Sequence, residues 1–126
     1  MHQFTLEEAR ESVSLAITSL RLKENTDELQ GIVDECNKLE NPMAQFQLKM
    51  TKLIPKVVSI LGADISKVIK VDKIENSDVM GYVSQIQKFA ATDIPLSVQV
   101  SKILKTLGGD FTGLDEDDEE EMEEIE

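Results

Sequence analysis

Residues 4–23 read FTLEEARESVSLAITSLRLK, and this stretch decides the fold class. Thr5 and Glu8 stand in capping-box spacing: the Thr5 hydroxyl can accept the Glu8 amide while the Glu8 carboxylate reaches back. Phe4 precedes them, in the hydrophobic-staple position. Leu6, Ala9, Val13, Ala16, Ile17 and Leu20 then recur at three- and four-residue steps, the period of one helix face. The pattern predicts a helix over residues 5–23.

The same signals repeat along the chain. Asn25 to Glu28 reads as a second start, followed by Leu29, Ile32, Val33, Cys36 and Leu39, with an end near Glu40. Asn41 and Pro42 open a third helix, since proline is tolerated at a first helical position. Its apolar stripe is Met43, Phe46, Met50, Leu53, Ile54, Val57, Val58 and Leu61. Pro55 lies inside it without an amide donor, which predicts a kink or break. Gly62 is a candidate stop, and Ile65, Val68 and Ile69 add a turn or two, separate or continuous. Ser77 begins another helix, with Val79, Tyr82, Val83, Ile86, Phe89 and Ala90 on one side. Asp93 and Pro95 open the last, which carries Leu96, Val100, Ile103, Leu104 and Leu107 and stops at Gly108 and Gly109. Residues 68–74 alternate as a short strand would. A lone strand has no partner elsewhere in the chain, so helix or loop is expected there.

The chain is 126 residues long, the size of one domain, and 40% of it is hydrophobic. Aromatic residues are few, four phenylalanines and one tyrosine with no tryptophan, so the core is expected to be aliphatic. Residues 115–126 read DEDDEEEMEEIE, ten carboxylates without a base. They account for most of the net charge of −12 and leave about −2 for the other 114 residues. Ten like charges in twelve residues cannot pack. The expectation is therefore all-α: a single compact bundle of five or six helices over residues 1–109, and a disordered acidic tail over 110–126.

No apolar run reaches the ~18–20 residues that span a bilayer, and no signal-peptide core opens the chain. One cysteine, Cys36, gives no disulfide framework, so a reducing, cytoplasmic setting is expected. Catalysis has little to draw on. The single histidine, His2, lies beside a terminus, Cys36 lies on an apolar helix face, and no glycine spacing suits a phosphate. No enzyme activity, cofactor or metal is expected, and no nucleic-acid or membrane partner. Lys49, Lys52, Lys56, Lys67, Lys70 and Lys73 form a solvated edge, or one that the tail folds back to mask.

What remains is binding to other proteins, as an interaction module or a small subunit of a larger eukaryotic assembly. The tail is either a solubilising brush or a lure for basic proteins, the mode of an acidic chaperone-like binder, with Phe111, Leu114, Met122 and Ile125 as apolar anchors. The last five residues, Met122, Glu123, Glu124, Ile125 and Glu126, also resemble the terminal motif through which cytosolic chaperones dock into tetratricopeptide-repeat clamps. Such a clamp grips the terminal carboxylate and last acidic side chain, and Ile125 would fill its apolar pocket.

The body carries a further resemblance. In order along the chain stand LEEA at residues 6–9, Glu24 with Asn25, LIP at 53–55, VIK at 68–70, KFAATD at 88–93 and KILKTL at 102–107. Residues 4–107 resemble the protein C-ten family of small eukaryotic helical proteins. The resemblance implies a compact helical fold and a cytoplasmic, non-enzymatic role. It does not extend to the tail.

Overall fold

The computed structural model of the chain describes residues 2–115. Among them are six α-helical segments and no strand: α1 (Leu6–Arg21), α2 (Lys23–Asn37), α3 (Pro42–Leu48), α4 (Ile54–Ile69), α5 (Asn76–Ala90) and α6 (Ile94–Leu107). A π-turn, Lys49–Leu53, joins α3 to α4 into one continuous rod, so the bundle has five rods. A 3-10 turn, Thr112–Asp115, ends the described chain.

Helix α1 starts with the expected capping box. The Glu8 amide donates to Thr5 Oγ1 at 3.1 Å, and the Thr5 amide donates to Glu8 Oε1 at 2.9 Å. Phe4 is buried, stacked on Tyr82 of α5 with ring centroids 5.2 Å apart. Its amide donates to Gln85 Oε1 at 2.9 Å, and Gln85 Nε2 donates to the His2 carbonyl at 2.9 Å. The residues ahead of α1 are thereby fixed to α5.

The α1–α2 boundary differs from the sequence expectation. One residue, Leu22, leaves helical geometry (ψ 134), and α2 resumes at Lys23. Asn25 does not cap α2. Its side-chain amide donates back to the Ser19 carbonyl at 2.7 Å, satisfying the end of α1. The other two starts read from Asn and Asp hold. Asn41 accepts the Met43 amide at 2.8 Å, and Asp93 accepts the Leu96 amide at 3.0 Å.

Gly62 does not end a helix. It lies buried inside α4, where a Cβ would stand 3.0 Å from Val79 Cγ2, so the glycine lets α5 approach. Helix α4 runs on to Ile69 and stops at Lys70, which adopts the left-handed conformation (φ 60). The alternating stretch 68–74 is thus a helix end followed by a loop.

Helix α1 is the centre of the bundle, in contact with α2, α4, α5 and α6. Ala9, Val13, Ala16, Ile17 and Leu20 face Val57, Val58, Leu61 and Ile65 among others, and all are buried. Each larger aliphatic side chain sequestered there contributes roughly 1.5–3 kcal/mol. The core is aliphatic, as the composition predicts. One polar anchor holds α1 to the start of α6. Arg10 Nε donates to Asp93 Oδ2 at 2.9 Å, and Arg10 Nη2 donates to the same oxygen.

The bundle does not stop at Gly109. Gly109 takes a positive φ of 95 and lies against Val33, Leu53 and Lys49. The chain then passes Phe111, half-buried on the core, and enters the 3-10 turn, where Leu114 is 2% exposed within the core cluster. The expected domain boundary at 109/110 is therefore corrected to the end of the 3-10 turn, because burial of Leu114 ties residues 110–114 to the body. Residues 116–126 lie outside the described residues.

The two helical glycines predict opposite outcomes. Gly31→Ala, with nothing within 4 Å of its added methyl, should stabilise by about 0.5–1 kcal/mol in urea unfolding. Gly62→Ala should destabilise, because its added methyl would stand 3.0 Å from Val79 Cγ2, which is fully buried. Asp93 predicts a pH effect. The Leu96 amide, followed by Arg10, holds its carboxyl below the usual carboxylate range against an opposing contribution from burial. A depressed folded pKa gives stability that is complete above the unfolded pKa and is lost as pH falls through the folded one. The urea midpoint should therefore fall between about pH 5 and pH 2, and fall less in Asp93→Asn, which can still cap but carries no charge.

Candidate interaction surface

Helix α3 is seven residues long and buries none of them. It packs on α2, and Gln45 Nε2 ties it to the Leu39 carbonyl at 2.6 Å. So short a helix is unstable alone in water and depends on what it touches. Yet Met43 is 64% exposed, Phe46 60% and Met50 47%, with Leu39 at 36% just ahead of the helix. At i, i+3 and i+7, the two methionines and the phenylalanine share one face.

Met43, Phe46 and Met50 thus part from Leu53, Val57 and Leu61, with which they share one apolar stripe in the sequence. The cause is Pro55. It has no amide hydrogen for the carbonyl four residues back, and its ring would crowd that carbonyl. The helix widens ahead of it, and the Ile54 amide donates five residues back, to Lys49. The inserted residue rotates everything upstream by about 100° relative to everything downstream. Leu53 and Val57, both 0% exposed, face inward, while Met43, Phe46 and Met50 face water. No spacing rule signals the change, because the apolar period runs unbroken through the turn.

The six lysines do not form one edge. Lys49, Lys52 and Lys56 lie on the π-turn and the start of α4, while Lys67, Lys70 and Lys73 lie at its far end, a helix of about 24 Å away. Three have acidic neighbours: Lys52 and Glu35 at 3.2 Å, Lys56 and Glu28 at 3.1 Å, and Lys67 and Asp64 at 3.7 Å. Two of these pairs clamp α2 to the π-turn and α4. Both are exposed, so each contributes at most about 1 kcal/mol.

The remaining expected sites separate clearly. Leu114 is part of the core, so it is not free to anchor a partner while the fold is intact. Phe111 is half-buried beside it. Met122, Glu123, Glu124, Ile125 and Glu126 lie outside the described residues. Cys36 is fully buried on α2. Three leucines outside the apolar stripes lie on different elements: Leu15 and Leu48 are half-buried, and Leu22 is exposed at the α1–α2 joint.

Two hollows lie among the described residues. An apolar cavity of about 20 Å³ in the bundle centre is lined by Leu61, Ile65, Val83 and Ser12, among others, room for about one water. Ser12 Oγ is buried there without a hydrogen-bond partner. A surface groove of about 230 Å³ lies between α4 and the loop after it, lined by Ser59, Gly62, Ser66, Asp72 and Lys73, among others. The Ser66 hydroxyl there already donates to the Ala63 carbonyl at 2.7 Å. Among the described residues, no group of three or more His, Cys, Asp or Glu is placed to hold a metal ion, and no helix is long and apolar enough to cross a membrane.

No protein-family model, curated protein or solved structure matches this chain. Its own geometry is what singles out the α3 face. That geometry separates two apolar residues seven apart in one sequence stripe. Leu53→Ala should cost about 2–5 kcal/mol in denaturant unfolding. Phe46→Ala should stay within about 0.5 kcal/mol of the parent, the range of an exposed site.

Proposed function

We propose that the chain is a non-enzymatic protein–protein interaction module of the cytoplasm, or a small subunit of a larger eukaryotic assembly, that takes its partner on the α3 face. The observation that carries this reading is the exposure of Met43 and Phe46 on a helix with no buried residue, continued by exposed Met50 on the π-turn that follows. Together with Leu39 they leave on the order of 400 Å² of apolar surface in water, about the largest patch found on an ordinary monomer. Methionines suit such a face, since their flexible thioethers repack against different partner shapes. The area is about half of the ~800 Å² per partner that a standard interface buries. It matches one amphipathic helix of another protein, laid across α3 with its large apolar residues at three- and four-residue steps. The resemblance of the body to the protein C-ten family points to the same non-catalytic role.

The run of ten carboxylates supports a second reading, capture of basic proteins through the tail. The two readings differ in salt response, because exposed charge pairs are screened over roughly 8 Å at physiological ionic strength while apolar contacts persist. In a titration against an amphipathic partner helix, Phe46→Asp should weaken binding by at least about tenfold. High salt should leave that binding intact, and the melting temperature of the variant should match the parent. Binding that survives Phe46→Asp but disappears on removal of residues 116–126 or at high salt would transfer the function to the tail. A parent chain that sediments as a dimer, and a Phe46→Asp chain that does not, would put a second copy on the α3 face.

A further inference from the structure

Thr112 opens the 3-10 turn and is exposed. Its hydroxyl donates to Asp110 Oδ1 at 2.6 Å, and its amide donates to the same oxygen at 3.0 Å. Two residues further on, Leu114 is inserted into the core, and the turn rests on α6 and α1. Gly113 lies close on α6, where a Cβ would stand 3.3 Å from Lys102 Cγ. In the sequence, the third residue after Thr112 is Asp115, the first of ten carboxylates through Glu126. An exposed hydroxyl, an acidic run that begins three residues beyond it, and an apolar anchor between them thus occupy one short segment.

We propose that Thr112 is a phosphorylation site for an acidic-directed serine/threonine kinase, and that its phosphorylation withdraws Leu114 from the core. A kinase of this class selects substrates by matching basic residues of its groove to carboxylates C-terminal to the hydroxyl, an electrostatic complementarity that favours this run. With ATP as co-substrate, Thr112 Oγ1 bonds to the γ-phosphorus. The bond from that phosphorus to the bridging oxygen breaks, ADP departs with the oxygen, and the hydroxyl proton passes to the kinase's base.

The modification acts on the turn in two ways. The oxygen loses the hydrogen it gives to Asp110, and a group of charge about −1.5 to −2 arrives beside that carboxylate. Lys105 is the cation near Asp110, and one cation does not offset both Asp110 and a phosphate. The acids that begin at Asp115 add to the repulsion. A 3-10 turn of four residues has too few hydrogen bonds to resist, so the anchor leaves with it. Thr5 also has a glutamate three residues on, Glu8, but that carboxylate is engaged in the cap of α1 and no acidic run follows it.

The full chain is incubated with an acidic-directed serine/threonine kinase and ATP, mapped by mass spectrometry, and melted. One phosphate at Thr112 is expected, absent in Thr112→Val. Incorporation should slow at least about tenfold when Asp115, Glu116, Asp117 and Asp118 are replaced together by their amides. The phosphorylated chain should melt about 5 °C or more below the unmodified one, close to Leu114→Ala without kinase. No phosphate at Thr112, or phosphate at Thr5 in its place, overturns the site. A phosphorylated chain that melts like the parent, or a Leu114→Ala chain that does, overturns the release of Leu114.

Discussion

Pro55 cannot donate a backbone hydrogen bond, and the rest of the structure is arranged around that fact. The rod from Pro42 to Ile69 is continuous, so the missing rung is absorbed by widening the turn ahead of the proline. The widening gives the rod two apolar faces in place of one. Its lower half supplies Leu53, Val57, Leu61 and Ile65 to the core around α1, and its upper half turns Met43, Phe46 and Met50 outward. The same turn receives Gly109 at the end of α6, so the exit of the chain is also set there.

Small residues determine how closely the rods meet. Ala9 and Ala16 on α1 and Gly62 on α4 are buried, and Gly62 admits Val79 to a distance a side chain would deny. With few aromatic residues to fill space, the bundle depends on close contact between aliphatic side chains, where a lost or added methyl is felt. The C-terminal turn belongs to this packing. Leu114 is a core residue immediately ahead of an acidic sequence.

The charges of the body leave little to attract that sequence back. Lys52 and Lys56 face glutamates of α2, and Lys67 lies near Asp64. The other three lysines of the predicted edge are divided between the two ends of α4. A screened, divided and partly paired set of cations is a weak docking site for ten carboxylates. In the reading favoured above, apolar recognition belongs to residues 39–50 and acidic modification to the segment beyond α6.

The sequence carries the helices, because capping and amphipathic period are local. Thr5, Asn41 and Asp93 accept the very amides their spacing names, and Cys36 is buried as its place on the second apolar stripe implies. It also located the trouble at Pro55. Which apolar residues meet the core depends instead on how the elements pack. Met50 and Leu53 are equivalent by period, and one inserted residue puts them on different faces. Gly62 reads as a stop until α5 comes to rest on it, and Asn25 reads as a start until its side chain turns back to Ser19. Leu114 reads as tail until the 3-10 turn comes to rest on α1 and α6. In each case the sequence states a preference for burial or for a turn, and the partner that satisfies it comes from another element.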